Sequence, residues 1–128
     1  MEYNKPGDFM TIDKETVSLI QFDLDNDKSE YELKAIKLTM EGNKEESKYY
    51  SLIVDIYKDV SNYLDKSFNK EYDKFLANFN ALIKDVRNTL IETMHNLDNP
   101  SDGFIAGYKI MYLDDVYHEV LNKLAHYA

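Results

Sequence analysis

The sequence predicts a helix-dominated α+β fold, with an N-terminal β-hairpin over residues 17–40 packed on an antiparallel three-helix bundle. Three observations carry this reading. Two runs of alternating apolar residues flank a polar hexapeptide, two long apolar stripes at helical spacing follow Gly42, and an Asn-Pro pair at 99–100 marks a sharp restart of the chain. An all-α bundle is the alternative, because Leu33, Ile36 and Met40 also fall at helical spacing.

Residues 1–14 contain Pro6-Gly7 and read as an irregular lead-in. From Val17 to Leu24 the apolar positions are Val17, Leu19, Ile20, Phe22 and Leu24, and from Tyr31 to Met40 they are Tyr31, Leu33, Ala35, Ile36, Leu38 and Met40. Each run has period two with one slip, the pattern of a strand carrying a bulge. The polar Asp25-Asn26-Asp27-Lys28-Ser29-Glu30 between them reads as the hairpin turn.

After Gly42, Asn43 and Glu46 have the spacing of a capping box. Tyr49, Leu52, Ile53, Ile56, Tyr57, Val60, Tyr63 and Leu64 then share one helical face, opposite Asp55, Lys58, Asn62 and Asp65. A second stripe runs through Tyr72, Phe75, Leu76, Phe79, Leu82, Ile83, Val86, Leu90, Met94 and Leu97. Asn69 is a candidate cap for it, although neither Gly nor Pro forces a break, so residues 44–97 fit one long helix as well as two. Asn99 suits an N-cap and Pro100 the first helical position. Residues 104–113 are apolar nearly all round and read as a buried helix or a third strand, and Val116, Tyr117, Val120, Leu121, Leu124 and Tyr127 form a final helical face.

At 128 residues the chain is the size of one domain, and 44% hydrophobic residues suffice for a core, which excludes a disordered acidic tail. The net charge of −9 repels the phosphates of nucleic acid and anionic lipid, so neither direct nucleic-acid binding nor a membrane is expected. A protein partner with a basic surface is the complementary expectation. With no cysteine there is no disulfide or thiolate chemistry, and with neither a signal-like start nor a long apolar run the cytoplasm is the expected compartment. The single arginine beside abundant Lys, Asn, Tyr and Ile reads as the codon bias of an AT-rich genome and hints at a low-GC bacterium, its phages or its plasmids.

Three strings carry residue types that suggest chemistry. Phe22-Asp23-Leu24-Asp25 resembles the first motif of the haloacid dehalogenase-type phosphatases, where a strand ends in Asp-x-Asp. The resemblance implies a small Mg-dependent phosphatase with Asp23 as nucleophile and Asp25 as acid and base. It covers only these residues, and Asn26-Asp27 stands where that family carries Gly-Thr. Asp23-x-Asp25-x-Asp27 is similar to the start of an EF-hand loop, but Lys28 and Lys34 occupy the positions of its Gly and bidentate Glu. His118-Glu119-Val120-Leu121-Asn122 has Asn122 in place of the second zinc-binding histidine, leaving His118 as a solvated partner for Asp114 one turn away. His95 and His126 do not converge on it by spacing, and no cofactor is expected.

These considerations favour a non-catalytic acidic protein-binding module, such as an inhibitor, immunity or anti-defence protein of a phage or other mobile element that mimics nucleic acid. Eleven tyrosines strengthen an interface reading, because tyrosine combines large contact area with few rotatable bonds. Tyr49, Tyr50, Tyr57 and Tyr63 flank the first long helix, and Asp55, Asp59, Asp85 and Glu92 lie on helix exteriors. Tyr50, Asp55, Tyr57, Asp59, Asp85 and Glu92 are therefore the candidate partner-binding residues. The alternatives are a structural or self-associating helical protein, with a homo-oligomer as partner, and the Asp23/Asp25 phosphatase.

Overall fold

The computed structural model describes residues 10–96 and 98–127. Four helices follow one another: α1 (Lys14–Met40), α2 (Lys44–Ser67), α3 (Tyr72–Met94) and α4 (Pro100–Tyr127). Short connections make sequential helices antiparallel. The fold is an all-α bundle, and the expected N-terminal hairpin is a single helix.

The reason lies in which residues of α1 are buried. Val17, Ile20, Leu24 and Ala35 face inward, while Leu19, Phe22, Leu33, Ile36 and Met40 are exposed. At about 100° per residue these sets occupy opposite sides of the helix. Read along the chain, the interleaved faces imitate the period-two alternation of a strand with slips. The supposed turn is mid-helix, where Lys28 pairs with Asp25 at 2.7 Å and Glu32 at 3.5 Å, one turn away on either side.

Asp13 caps the start of α1 by accepting from the Thr16 amide at 2.9 Å. At the other end Gly42 has φ of 84°, in the left-handed region. Its amide donates to the Thr39 carbonyl and that of Asn43 to the Leu38 carbonyl, the two bonds of a Schellman motif. Asn43 then caps α2, its side-chain oxygen accepting from the Glu46 backbone amide while its side-chain NH2 donates to the Glu46 carboxylate at 2.8 Å, a reciprocal pair that differs from a capping box in that the Asn43 backbone amide is already given to Leu38.

Residues 44–94 are thus two helices, broken at Phe68–Glu71. Phe68 turns to an extended conformation, and Asn69 accepts from the Glu71 amide two residues on, forming a local turn instead of the cap expected of it. An antiparallel bridge adds to the break: the Ile12 amide donates to the Lys70 carbonyl, and the Tyr72 amide to that of Met10. Ile12 is buried there, so part of the lead-in segment is packed; Pro6-Gly7 lies outside the described residues.

Asn99 caps α4 and Pro100 begins it, as expected. Residues 104–113 are helical, not a strand, and only one side is buried: Ala106 and Leu113 are inside, Phe104 and Met111 outside. The turn between α3 and α4 is tight, since a β-carbon on Gly103 would stand 3.0 Å from the Met94 carbonyl oxygen. Leu97 lies outside the described residues.

The four helices share one core, including Ile20, Leu24, Ile53, Leu64, Phe75, Phe79, Leu113 and Leu124. α2 touches the other three helices, α4 approaches α1 only narrowly, and no close approach joins α1 to α3. Polar contacts seat α1 on α2. The Gln21 side chain donates to the Ser61 carbonyl and the Asp65 carboxylate, both at 2.9 Å, and the buried Ser47 hydroxyl donates to the Ala35 carbonyl at 2.7 Å, with Thr39 Oγ1 2.7 Å away.

Candidate functional site

The outer side of α1 carries the most extended uncovered apolar surface among the described residues. Phe22 is 62% exposed, Leu33 67% and Met40 83%, with Leu19 and Ile36 also open. Their spacing is that of a heptad seam: Leu19, Phe22, Asn26, Ser29, Leu33, Ile36 and Met40 are separated alternately by three and four residues. The ends of the seam are apolar and its centre is small and polar. The same backbone that buries Leu24 dictates this, because the residue half a turn away must point outward.

The seam has acidic borders. One border carries Thr16, Asp23, Glu30 and Lys37, and the other Ser18, Asp25, Glu32 and Thr39. Lys28 bridges Asp25 and Glu32 from the inner side. Lys34 is directed elsewhere, with its ammonium 5.4 Å from the Tyr31 ring centroid and 5.8 Å from that of Tyr50.

The residues expected to bind a partner do not come together. Tyr57 is buried in the core beside Tyr31, and burial raises its hydroxyl pKa, with the Glu119 charge adding. Tyr50 is half-buried and stacks on Tyr31 at 6.1 Å. Asp55 and Asp59 lie on the outside of α2, where partial desolvation raises the Asp59 carboxyl and Asp55 adds to the effect. They share that helix's exterior with Lys44, Lys48, Lys58 and Lys66. Asp85 and Glu92 are exposed on α3, one of them next to Lys84. Negative charge on these two helices is interleaved with positive charge.

Of the other tyrosines, Tyr49 packs against Tyr108 at 4.9 Å and Phe104 at 6.2 Å, and Tyr63 is half-buried against the core. A second, shorter apolar patch lies where α3 meets α4, in a cleft of about 590 Å³ walled by Met94, Phe104, Tyr108 and Met111. Phe104, Tyr108 and Met111 keep the four-three spacing for a single heptad, so this patch is much shorter than the α1 seam.

Asp23 and Asp25 stand mid-helix on opposite borders of α1. Asp23 reaches Lys123 and the Tyr127 hydroxyl of α4, and Asp25 reaches Lys28. The phosphatase motif needs the two carboxylates at a strand end facing one reaction centre, and here they diverge. The EF-hand similarity ends for the same reason, and no group of three or more potential metal-binding side chains is found among the described residues. His118 is not paired with the Asp114 carboxylate: its Nδ1 lies 2.7 Å from the Asp114 main-chain oxygen, while the carboxylate holds Arg87 at 3.1 Å.

One titratable cluster escaped sequence reasoning. Glu119 of α4 meets Asp27 of α1 and Tyr57 of α2, and burial, reinforced by the hydrogen bond and charge of Asp27, pushes its carboxyl up to about 7. The residues are far apart in sequence, and only the packing of α4 across α1 and α2 joins them.

Fold and surface define a four-helix up-and-down bundle with one helix apolar on both sides. No protein-family model, curated protein or solved structure matches the chain. No helix among the described residues is long and apolar enough to cross a membrane.

Proposed function

We propose that this chain is a non-catalytic protein-binding module whose docking surface is the outer face of α1. The observation that carries the reading is the heptad seam of Leu19, Phe22, Leu33, Ile36 and Met40, which faces water on the side of α1 opposite the core. Two apolar patches in line on one folded face, separated by Asn26 and Ser29, are costly to leave hydrated, and such patches mark interaction sites. Heptad spacing matches the grooves of another α-helix, so helix-on-helix packing is the natural mode of engagement. The mixed charge on the exteriors of α2 and α3 gives less support to nucleic-acid mimicry through Asp55, Asp59, Asp85 and Glu92.

The reading is tested by capture from the native host's lysate on immobilised wild type and on a Phe22→Ser/Leu33→Ser double variant. The expected result is a bound protein present on wild type and absent from the variant, with both melting at the same temperature. Equal capture by the two would remove the α1 face as the docking site.

A further inference from the structure

The seam's borders say more about its occupant, given the proposed docking role of α1. We infer that the partner is an amphipathic helix of another protein, apolar along its own seam and lined by lysine or arginine on both sides.

In paired helices the residues bordering the seam face the borders of the neighbour and set partner choice. Here the central borders are Asp23, Asp25, Glu30 and Glu32, with Lys37 the only cation at these positions. Lys28, shared by Asp25 and Glu32, and Lys123 of α4, beside Asp23, offset two of the four charges and leave the borders acidic. A basic-bordered helix finds an opposite charge along both edges.

A second copy of this chain fits less well. Parallel pairing places Asp25 against Glu30 on both edges, offset only by Glu32 against Lys37. The antiparallel register that joins Leu19 to Ile36 and Phe22 to Leu33 sets Asp25 against Glu32 and Asp23 against Glu30. Each molecule also brings a net charge of −9 to the encounter. At mid-seam, Asn26 and Ser29 call for a polar residue opposite, which fixes the register of the guest. From Leu19 to Met40 the seam spans about 30 Å at 1.5 Å per residue, so a guest helix of roughly 20 residues covers it.

The probes are two helix-stapled synthetic peptides of equal length, with leucine at seam positions and asparagine at the centre, one bordered by lysine and the other by glutamate. Binding to the whole chain is followed by calorimetry at low and at high salt, alongside sedimentation of the chain alone. The lysine peptide is expected to bind roughly tenfold tighter, the sum of several individually weak exposed charge pairs, and to lose that advantage at high salt. Asp25→Lys/Glu32→Lys is expected to reverse the preference, and Phe22→Ser/Leu33→Ser to weaken both peptides.

Equal binding of the two peptides, abolished by the Ser variant, would overturn the basic-partner inference and keep the docking face. Absence of binding, or binding indifferent to the Ser variant, would overturn the docking face as well. A concentration-dependent dimer lost in the Ser variant would assign the face to a second copy and overturn the inference.

Discussion

Ser67 closes α2 with its side chain wholly buried and its hydroxyl without a hydrogen-bond partner, although its carbonyl accepts from Asn78 at 3.2 Å. An unpaired buried hydroxyl has lost water without compensation. Ser67→Ala is therefore expected to raise the urea midpoint, by the equivalent of about 1 kcal/mol. At Glu119 the same desolvation acts on a proton equilibrium. Its carboxyl is raised from 4.5 to about 7, so the folded chain holds the proton more tightly than the unfolded one. Its favourable contribution is complete at pH below 4.5 and is lost as pH rises through about 7. Glu119→Gln should leave stability nearly unchanged at pH 5 and raise it by about 1 kcal/mol at pH 8, less than the full shift implies because water reaches part of the site. Denaturation at the two pH values checks both the sign and the size.

Within α4, two glycines one turn apart differ in what they face. A β-carbon at Gly103 would meet the Met94 carbonyl oxygen at 3.0 Å, whereas at Gly107 it would meet only the flexible Met94 sulfur at 3.4 Å. Gly107→Ala should therefore stabilise by up to about 1 kcal/mol through helix propensity, and Gly103→Ala should destabilise by forcing α3 and α4 apart. Thermal melts of the two variants distinguish the effects. Such close approaches leave no trace in sequence, but capping chemistry does: Asn43-x-x-Glu46 and Asn99-Pro100 marked two helix starts correctly because those bonds are local. The apolar stripes of α2 and α3 were equally legible, since each helix has a single buried face. α1 has the sequence pattern of a hairpin because two opposite apolar faces superimpose along the chain, and periodicity alone does not separate them. The break at Phe68–Glu71 was legible only as an ambiguity, for it depends on Met10 and Ile12 bonding across from a distant segment.

For the whole molecule, burial and not residue type decides consequence. Phe79 is fully buried against Tyr117 at 5.8 Å, and Phe79→Ala is expected to cost about 3–5 kcal/mol. Phe22→Ala, by contrast, should change stability by no more than about 0.5 kcal/mol, as chemical denaturation will show. The exposed apolar face of α1 is hidden in the sequence for the same reason as its helical fold: placed in a strand, Phe22 and Leu33 have a core to enter. The acidic character was legible, but its place was not. Composition supplied the excess, and the helical path of α1 set Asp23, Asp25, Glu30 and Glu32 beside an apolar strip. An element greasy on two sides also confronts the folding chain with a choice of which side to turn inward. Spinning α1 half a revolution would exchange one set of oily side chains for another, but would part Gln21 from Ser61 and Asp65 of α2, and Ala35 and Thr39 from Ser47 of α2. These few polar tethers thus act as a keyway for α1. Gln21→Leu combined with Ser47→Ala should keep the helical circular dichroism yet double or broaden the amide resonances, and one sharp set of peaks would show that the core chooses unaided.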